Sequence, residues 1–145
     1  MASPDLYIPQ AAAVPVRDGQ ICLVTSSSGK RWVIPKGMID PGKTPAEIAL
    51  QEAWEEAGLL GALGAPLGTY QYEKYGGTCL VTVFAMHVHE TCDDWPERAV
   101  RRRSWVALDA ALELIEEEGL REILKKAVTE TPLPRKRVGV RRASR

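Results

Sequence analysis

The sequence has little of what marks several protein classes. Its three cysteines, Cys22, Cys79 and Cys92, are scattered, odd in number and outside zinc-ligand spacing. That argues against a disulfide framework and for reduced thiols used mainly in packing. The two histidines, His87 and His89, share one side of an expected strand and have no third ligand at useful spacing, so a strand-end role is expected. No apolar run approaches the roughly 18 residues that a membrane helix needs. The start, MASPDLYIPQ, lacks the basic region and apolar stretch of a signal peptide, so a soluble cytoplasmic protein with no membrane partner is expected. No internal repeat is visible.

Neither sign of charge dominates, with 19 Lys and Arg against 19 Asp and Glu, but the balance is uneven along the chain. The end, RKRVGVRRASR (Arg135 to Arg145), carries six basic residues and no acid; without it 13 basic residues face 19 acidic. A segment so charged and so poor in apolar residues cannot pack a core, so residues 131–145 are expected to form a solvated, disordered tail. A polyanion-binding arm is the sharper alternative. With no nucleic-acid motif, nucleic acid is not the expected partner. At 145 residues the chain is long enough for one domain, placed at residues 1–130.

Asp18-Gly19 suits a tight hairpin, so AAAVPVRDGQICLVTSS reads as two strands, and Pro15 suggests that the first lies at an edge. A short strand in RWVIP follows, then a loop, PKGMIDPGK, and a helix. LGTYQYEKY and TCLVTVFAMHVH read as strands around Gly76-Gly77, followed by a loop at ETCDDWPERAV and a strand in RRSWVAL. Asp109 is placed to cap AALELIEEE, Gly119 to interrupt it, and LREILKKAV to continue as helix. This order implies an α+β domain in the α/β class, a mixed sheet covered by helices on its faces.

The helix in TPAEIALQEAWEEAGLL carries the chemistry. Thr44, Pro45 and Glu47 form a start signal with a capping box, and Gly58 a stop. Helical spacing puts Ala46, Ala49, Leu50, Ala53, Trp54 and Ala57 on one side and Gln51, Glu52, Glu55 and Glu56 on the other. Ile48 falls among the acids, a hint that this side is not simply bathed in water. Glu52 and Glu56 are one turn apart with Glu55 between them, and like charges at that spacing repel. The acids are either a solvated face or a cation site.

The stretch Gly37 to Leu59, GMIDPGKTPAEIALQEAWEEAGL, resembles the Nudix hydrolase signature, with Gly37, Glu52, Glu55, Glu56, Gly58 and Leu59 in register. Lys43 and Gln51 depart from it, standing where the family has glutamate and arginine, an ionic pair that supports the helix. Both have changed together, which looks like a rewired support. The resemblance runs from about Pro9 to about Val128. SSSGKRWVIPKGMIDPGK, GALGAPLGTYQYEK and DDWPERAVRRRSWVAL, with Trp32, Trp95, Pro96 and Trp105, look similar to the diphosphoinositol polyphosphate phosphohydrolase branch and its bacterial relatives.

The resemblance implies a Nudix-type α/β/α sandwich and hydrolysis of a diphosphate linked to another group, with Mg2+ or Mn2+ as cofactor. It implies Glu52 and Glu56 as main metal ligands, Glu55 completing the catalytic and metal set, and Gly37 contributing backbone to the metal or letting the loop pass close to it. Divalent ions neutralise phosphate oxygens and activate water, and hard carboxylate oxygens suit them. Glu55, Asp93, Asp94 and Glu97 are the candidates for general base. Arginine and lysine grip phosphate oxygens, so Arg31 and Lys36, with Arg102 and Arg103 from the run Arg101 to Arg103, are the expected phosphate-binding set. The expected substrate is a small phosphorylated molecule: a diphosphoinositol polyphosphate, a dinucleoside polyphosphate or another nucleoside diphosphate derivative. A homodimer is compatible with the sequence. The alternative is a Nudix-fold binding module, catalytically weak or inactive, that holds a polyphosphorylated ligand.

Overall fold

The structure is a computed structural model that describes residues 6–130. Residues 1–5 of the expected domain and the basic tail lie outside the described residues. The strands are β1 (Tyr7–Arg17), β2 (Gln20–Thr25), β3 (Trp32–Val33), β4 (Lys36–Met38), β5 (Leu59–Lys74), β6 (Gly77–Thr91) and β7 (Arg103–Val106). The helices are α1 (Pro45–Ala57), α2 (Leu108–Leu114) and α3 (Glu118–Glu130). The sheet runs β3-β2-β1-β6-β5, with β4 joined to β1 and β7 to β2. β1 and β6 are parallel and the other pairs antiparallel, so the sheet is mixed as expected.

Alternation along β1 builds two cores, one on each face of the sheet. Ala11 and Ala13 pack with Ile48, Ala49, Ala53 and Ala57 of α1, while Ala12, Val14 and Val16 pack with Ile123, Leu124 and Ala127 of α3. Full burial of each large aliphatic contributes about 1.5–3 kcal/mol. The alanines shared by β1 and α1 bring helix and sheet close together, which sets the height of the acidic residues above the strands.

Six expectations about the elements need correction. β1 is central, although Pro15 suggested an edge. The two-residue turn at Asp18 and Gly19 makes Arg17–Gln20 the first hydrogen-bonded pair, and the β2 ladder ends at Val16–Ile21, before a position that would need the N–H Pro15 lacks. Pro15 also shares the parity of Ala13, whose N–H bonds Pro35 O, so the β6 ladder loses no donor. The expected loop PKGMIDPGK contains β4. The second hairpin turns at Tyr75-Gly76, both left-handed, one residue earlier than expected, and β5 begins at Leu59, through a glycine-rich run whose register shifts hid the strand. Finally, Ala107 is the N-cap of α2, with Asp109 in its first turn, and Gly119 lies within α3, the break falling at residues 115–117.

The α1 signals act as expected: the Thr44 hydroxyl accepts from Glu47 N, the Glu47 carboxylate accepts from Thr44 N, and Gly58 closes the helix at φ 68°. A cap of this kind contributes about 1 kcal/mol. The buried side is rotated from the one helical spacing suggested, because Leu50 is exposed while Ile48 and Glu56 are buried. Cys22 and Cys79 are buried and Cys92 half-buried, all unpaired, and burial pushes the Cys22 thiol up to about 12.

Candidate active site

β4 carries Lys36 and Gly37 beneath α1, and the Glu52 and Glu56 side chains project from the helix toward them. They share the floor of an open cleft of about 740 Å³. Glu52 packs directly on the Gly37 backbone: a Cβ at position 37 would stand 2.6 Å from Glu52 Oε2. Only glycine leaves room for the carboxylate there.

Glu56 is the more enclosed acid, 6% exposed. Its Oε2 pairs with Arg101 Nη2 at 3.3 Å, and Lys36 N donates to its Oε1 at 3.4 Å. Burial raises the Glu52 carboxyl to about 8, aided by the neighbouring Glu56 carboxyl and by the charges of Glu55 and Glu97. Burial also raises Glu56, against the opposing pull of Arg101. Two carboxylates that resist ionising together are a place where positive charge is stabilised.

Of the expected phosphate set, Arg31 and Lys36 line the cleft. Arg31 is held by Glu116 at 3.2 Å and Glu117 at 3.4 Å, and Lys36 Nζ lies 5.5 Å from the centre of the Tyr72 ring. Burial lowers the Lys36 pKa, opposed by Glu56 and Glu117. Arg102 and Arg103 do not line the cleft. Arg102 is exposed beside Trp32, and the Arg103 guanidinium is spent on the carbonyls of Ala57 and Cys92. The member of the run that reaches the cleft is Arg101. It precedes β7, so strand alternation could not identify it.

Glu55 is absent from the cleft lining, though near enough for its charge to act on Glu52. Among the described residues no three acidic, histidine or cysteine side chains are already gathered as a ligand cluster. The structure therefore draws together two of the three expected glutamates. Among the other base candidates, Asp94 is exposed and paired with Arg98 at 3.7 Å, whereas Glu97 binds Arg101 at 2.8 Å and its charge reaches Glu52 and Glu56.

Sequence reading missed the rest of the wall. Tyr72 donates to Gln10 Oε1 at 2.6 Å, and Glu116 and Glu117 arrive from the break between α2 and α3. Their spacing carries no signal, because β1, β5 and that break meet only in the folded chain.

The NUDIX domain profile matches residues 7–127. Nudix hydrolase 4 of Arabidopsis thaliana is 36% identical over 108 residues, which cover 73% of this chain and 52% of that protein. Diphosphoinositol polyphosphate phosphohydrolase 3-alpha of Mus musculus is 31% identical over 103 residues, covering 69% of this chain and 62% of that protein. The chain thus spans about half to three-fifths of the length of these curated relatives. Among solved structures, a NUDIX hydrolase from Nitrosomonas europaea superposes with a TM-score of 0.73 at 20% identity, covering 89% of this chain and 93% of that one. A C. elegans Ap4A hydrolase in a binary complex gives 0.69 at 20% identity, covering 85% and 96%. With that profile running across nearly all the described residues and the same fold in both solved neighbours, the chain belongs to the NUDIX domain family.

Proposed function

We propose that the chain is a divalent-metal-dependent hydrolase that cleaves a diphosphate linkage in a small phosphorylated substrate. The observation that carries this reading is the Glu52–Glu56 carboxylate pair, with Glu52 packed on Gly37 and Glu56 on Lys36 N, in a cleft that also holds Arg31, Lys36 and Arg101. Neighbouring carboxyls that resist ionising together fit a hard cation such as Mg2+ or Mn2+, which removes their mutual repulsion. When bound, the ion supplies charge neutralisation at the diphosphate and an acidified water.

The chain's own residues do the remaining work. Glu52 and Glu56 would hold the ion, and the Glu55 charge acting on Glu52 would add to the attraction for a cation. Arg101 orients the Glu56 carboxylate. Lys36 and Arg31 attract and fix phosphate oxygens along the cleft, restricting the substrate to one orientation. Glu97, which like Glu55 lies outside the cleft lining, is the base candidate whose charge acts on both Glu52 and Glu56 while Arg101 holds its carboxylate. The unpaired cysteines support a reducing compartment, and we propose the cytoplasm.

For the substrate, the cleft is mixed in charge: Glu73, Glu116 and Glu117 line it together with Arg31, Lys36, Lys74 and Arg101. Tyr72 and Tyr75 also line it, with Lys36 and Lys74 over their rings. That lining supports a dinucleoside polyphosphate or another nucleoside diphosphate derivative over a heavily phosphorylated inositol, whose charge the acids oppose. A hydrolysis panel with Mg2+ and with Mn2+, run on both substrate classes beside Glu56→Gln, tests this. Turnover of the nucleotide class that disappears in Glu56→Gln is expected. Tight ligand binding with no turnover under either metal would favour the binding-module reading, which the replacements at Lys43 and Gln51 motivate.

A further inference from the structure

The last carbonyls of α1 are capped by one loop and the strand that follows it. Glu97 N donates to Glu55 O at 3.0 Å, Trp95 Nε1 to Glu56 O at 3.0 Å, and Arg103 Nη1 to Ala57 O at 2.7 Å. Arg103 Nη2 reaches back to Cys92 O at 2.6 Å, and its guanidinium lies 4.1 Å from the centre of the Trp95 ring. Cys92 N closes the circuit on Gly58 O at 2.9 Å. The fit is tight enough that a Cβ at Gly58 would stand 2.9 Å from Arg103 Nη1 and from Trp95.

Each contact has a physical reason. Helix C-terminal carbonyls lack intrahelical donors and carry the negative end of the helix dipole, so a guanidinium there satisfies an acceptor and matches the field. Stacking on Trp95 limits the guanidinium's freedom and adds a cation–π attraction. α1 has no basic residue of its own in its last turn. The segment also grips Glu56 from both ends, its carbonyl through Trp95 and its carboxylate through Arg101.

We propose that Arg103, stacked on Trp95 and bonded to the Ala57 and Cys92 carbonyls, is a positioning residue that fixes the last turn of α1 and so the aim of the Glu52–Glu56 pair. The proposal rests on the metal-site reading given above. A short cationic point charge cannot replace it: lysine has no planar fork to reach two carbonyls while stacked on a ring.

The test measures Mn2+ binding to the full chain by electron paramagnetic resonance of the free ion, together with Tm. Arg103→Lys is expected to raise the Mn2+ Kd about tenfold or more, the usual effect of losing an outer-sphere support. Trp95→Phe keeps the ring but removes the donor to Glu56 O, and is expected to weaken Mn2+ binding severalfold. Arg98→Ala, on the exposed side of the same loop, is expected to bind Mn2+ like the unmodified protein. A lowered Tm with an unaltered Mn2+ Kd in Arg103→Lys would make Arg103 structural only and overturn the proposal. If Arg103→Lys does not fold, unaltered Mn2+ binding in folded Trp95→Phe overturns it instead. Glu56→Gln separates the two ideas: unaltered Mn2+ binding there defeats the metal-site reading itself, whereas its loss beside an unaffected Arg103→Lys defeats only the positioning role.

Discussion

Gly37 and Glu52 divide one small volume between them: a Cβ at residue 37 would lie 2.5 Å from Glu52 Cδ. Gly37 is not in the left-handed region, so its backbone does not demand glycine. The obstruction is the far end of a flexible side chain, which can swing aside. Gly37→Ala is therefore expected to fold, with Tm within a few degrees of the unmodified protein, while turnover drops on the order of a hundredfold because the carboxylate is displaced. Thermal melts beside steady-state kinetics check it; unchanged turnover would remove Glu52 from the site.

Glu52→Gln and Glu56→Gln each delete one charged oxygen donor. The expected loss in kcat is about 4 kcal/mol of transition-state stabilisation, roughly a thousandfold. The stability effects should differ. Glu56→Gln leaves the half-buried Arg101 with Glu97 but without its 3.3 Å partner, whereas Glu52→Gln replaces a carboxyl that holds its proton up to about pH 8. A lower Tm for Glu56→Gln than for Glu52→Gln is expected in metal-free buffer, and the reverse order contradicts the assigned contacts.

The pH dependence follows from Glu52, whose carboxyl is raised chiefly by burial to about 8 from an ordinary 4.5. An acid with a raised folded-state pKa takes up a proton on folding, so stability falls as pH rises between those values. Metal-free protein should lose Tm from about pH 5 to about pH 8, and Glu52→Gln should flatten that slope. Added Mg2+ should raise Tm more at the alkaline end, where protons no longer compete for the carboxylates. A Tm that climbs across this window without metal would refute the carboxyl pair.

Lys43 and Gln51 test the support at the other end of α1. Lys43 is exposed and Gln51 half-buried. Lys43→Glu alone adds a negative charge near an acidic cluster, and Gln51→Arg alone adds an unpaired cation. Made together they restore an ionic pair, so a double-mutant cycle should show a favourable coupling of about 0.5 kcal/mol or more in stability. Strict additivity would mean that the two positions do not act together.

Arg31, proposed above to fix phosphate, is paired with Glu116 and Glu117. Glu116→Gln with Glu117→Gln should free it and raise kcat/KM for heavily phosphorylated inositols more than for dinucleoside polyphosphates, an effect weakening with salt. Equal changes for both classes would show that these acids do not govern choice.

The local sequence determined α1, its capping box, its Gly58 stop and the Asp18-Gly19 turn, because each is set by contacts a few residues apart. It also determined that Glu52 and Glu56 share a helix face, since that follows from helical spacing alone. It misjudged β1, where Pro15 signals an edge to any local rule; the strand is central because the β2 ladder ends just before that proline and the β6 ladder uses the opposite parity. Which face of α1 is buried, why Arg101 and not its neighbours reaches the cleft, and how Arg103 comes to cap α1 were decided only by the tertiary structure. These depend on packing between segments distant in sequence, and the rotation of α1 follows from how its alanines seat against those of β1.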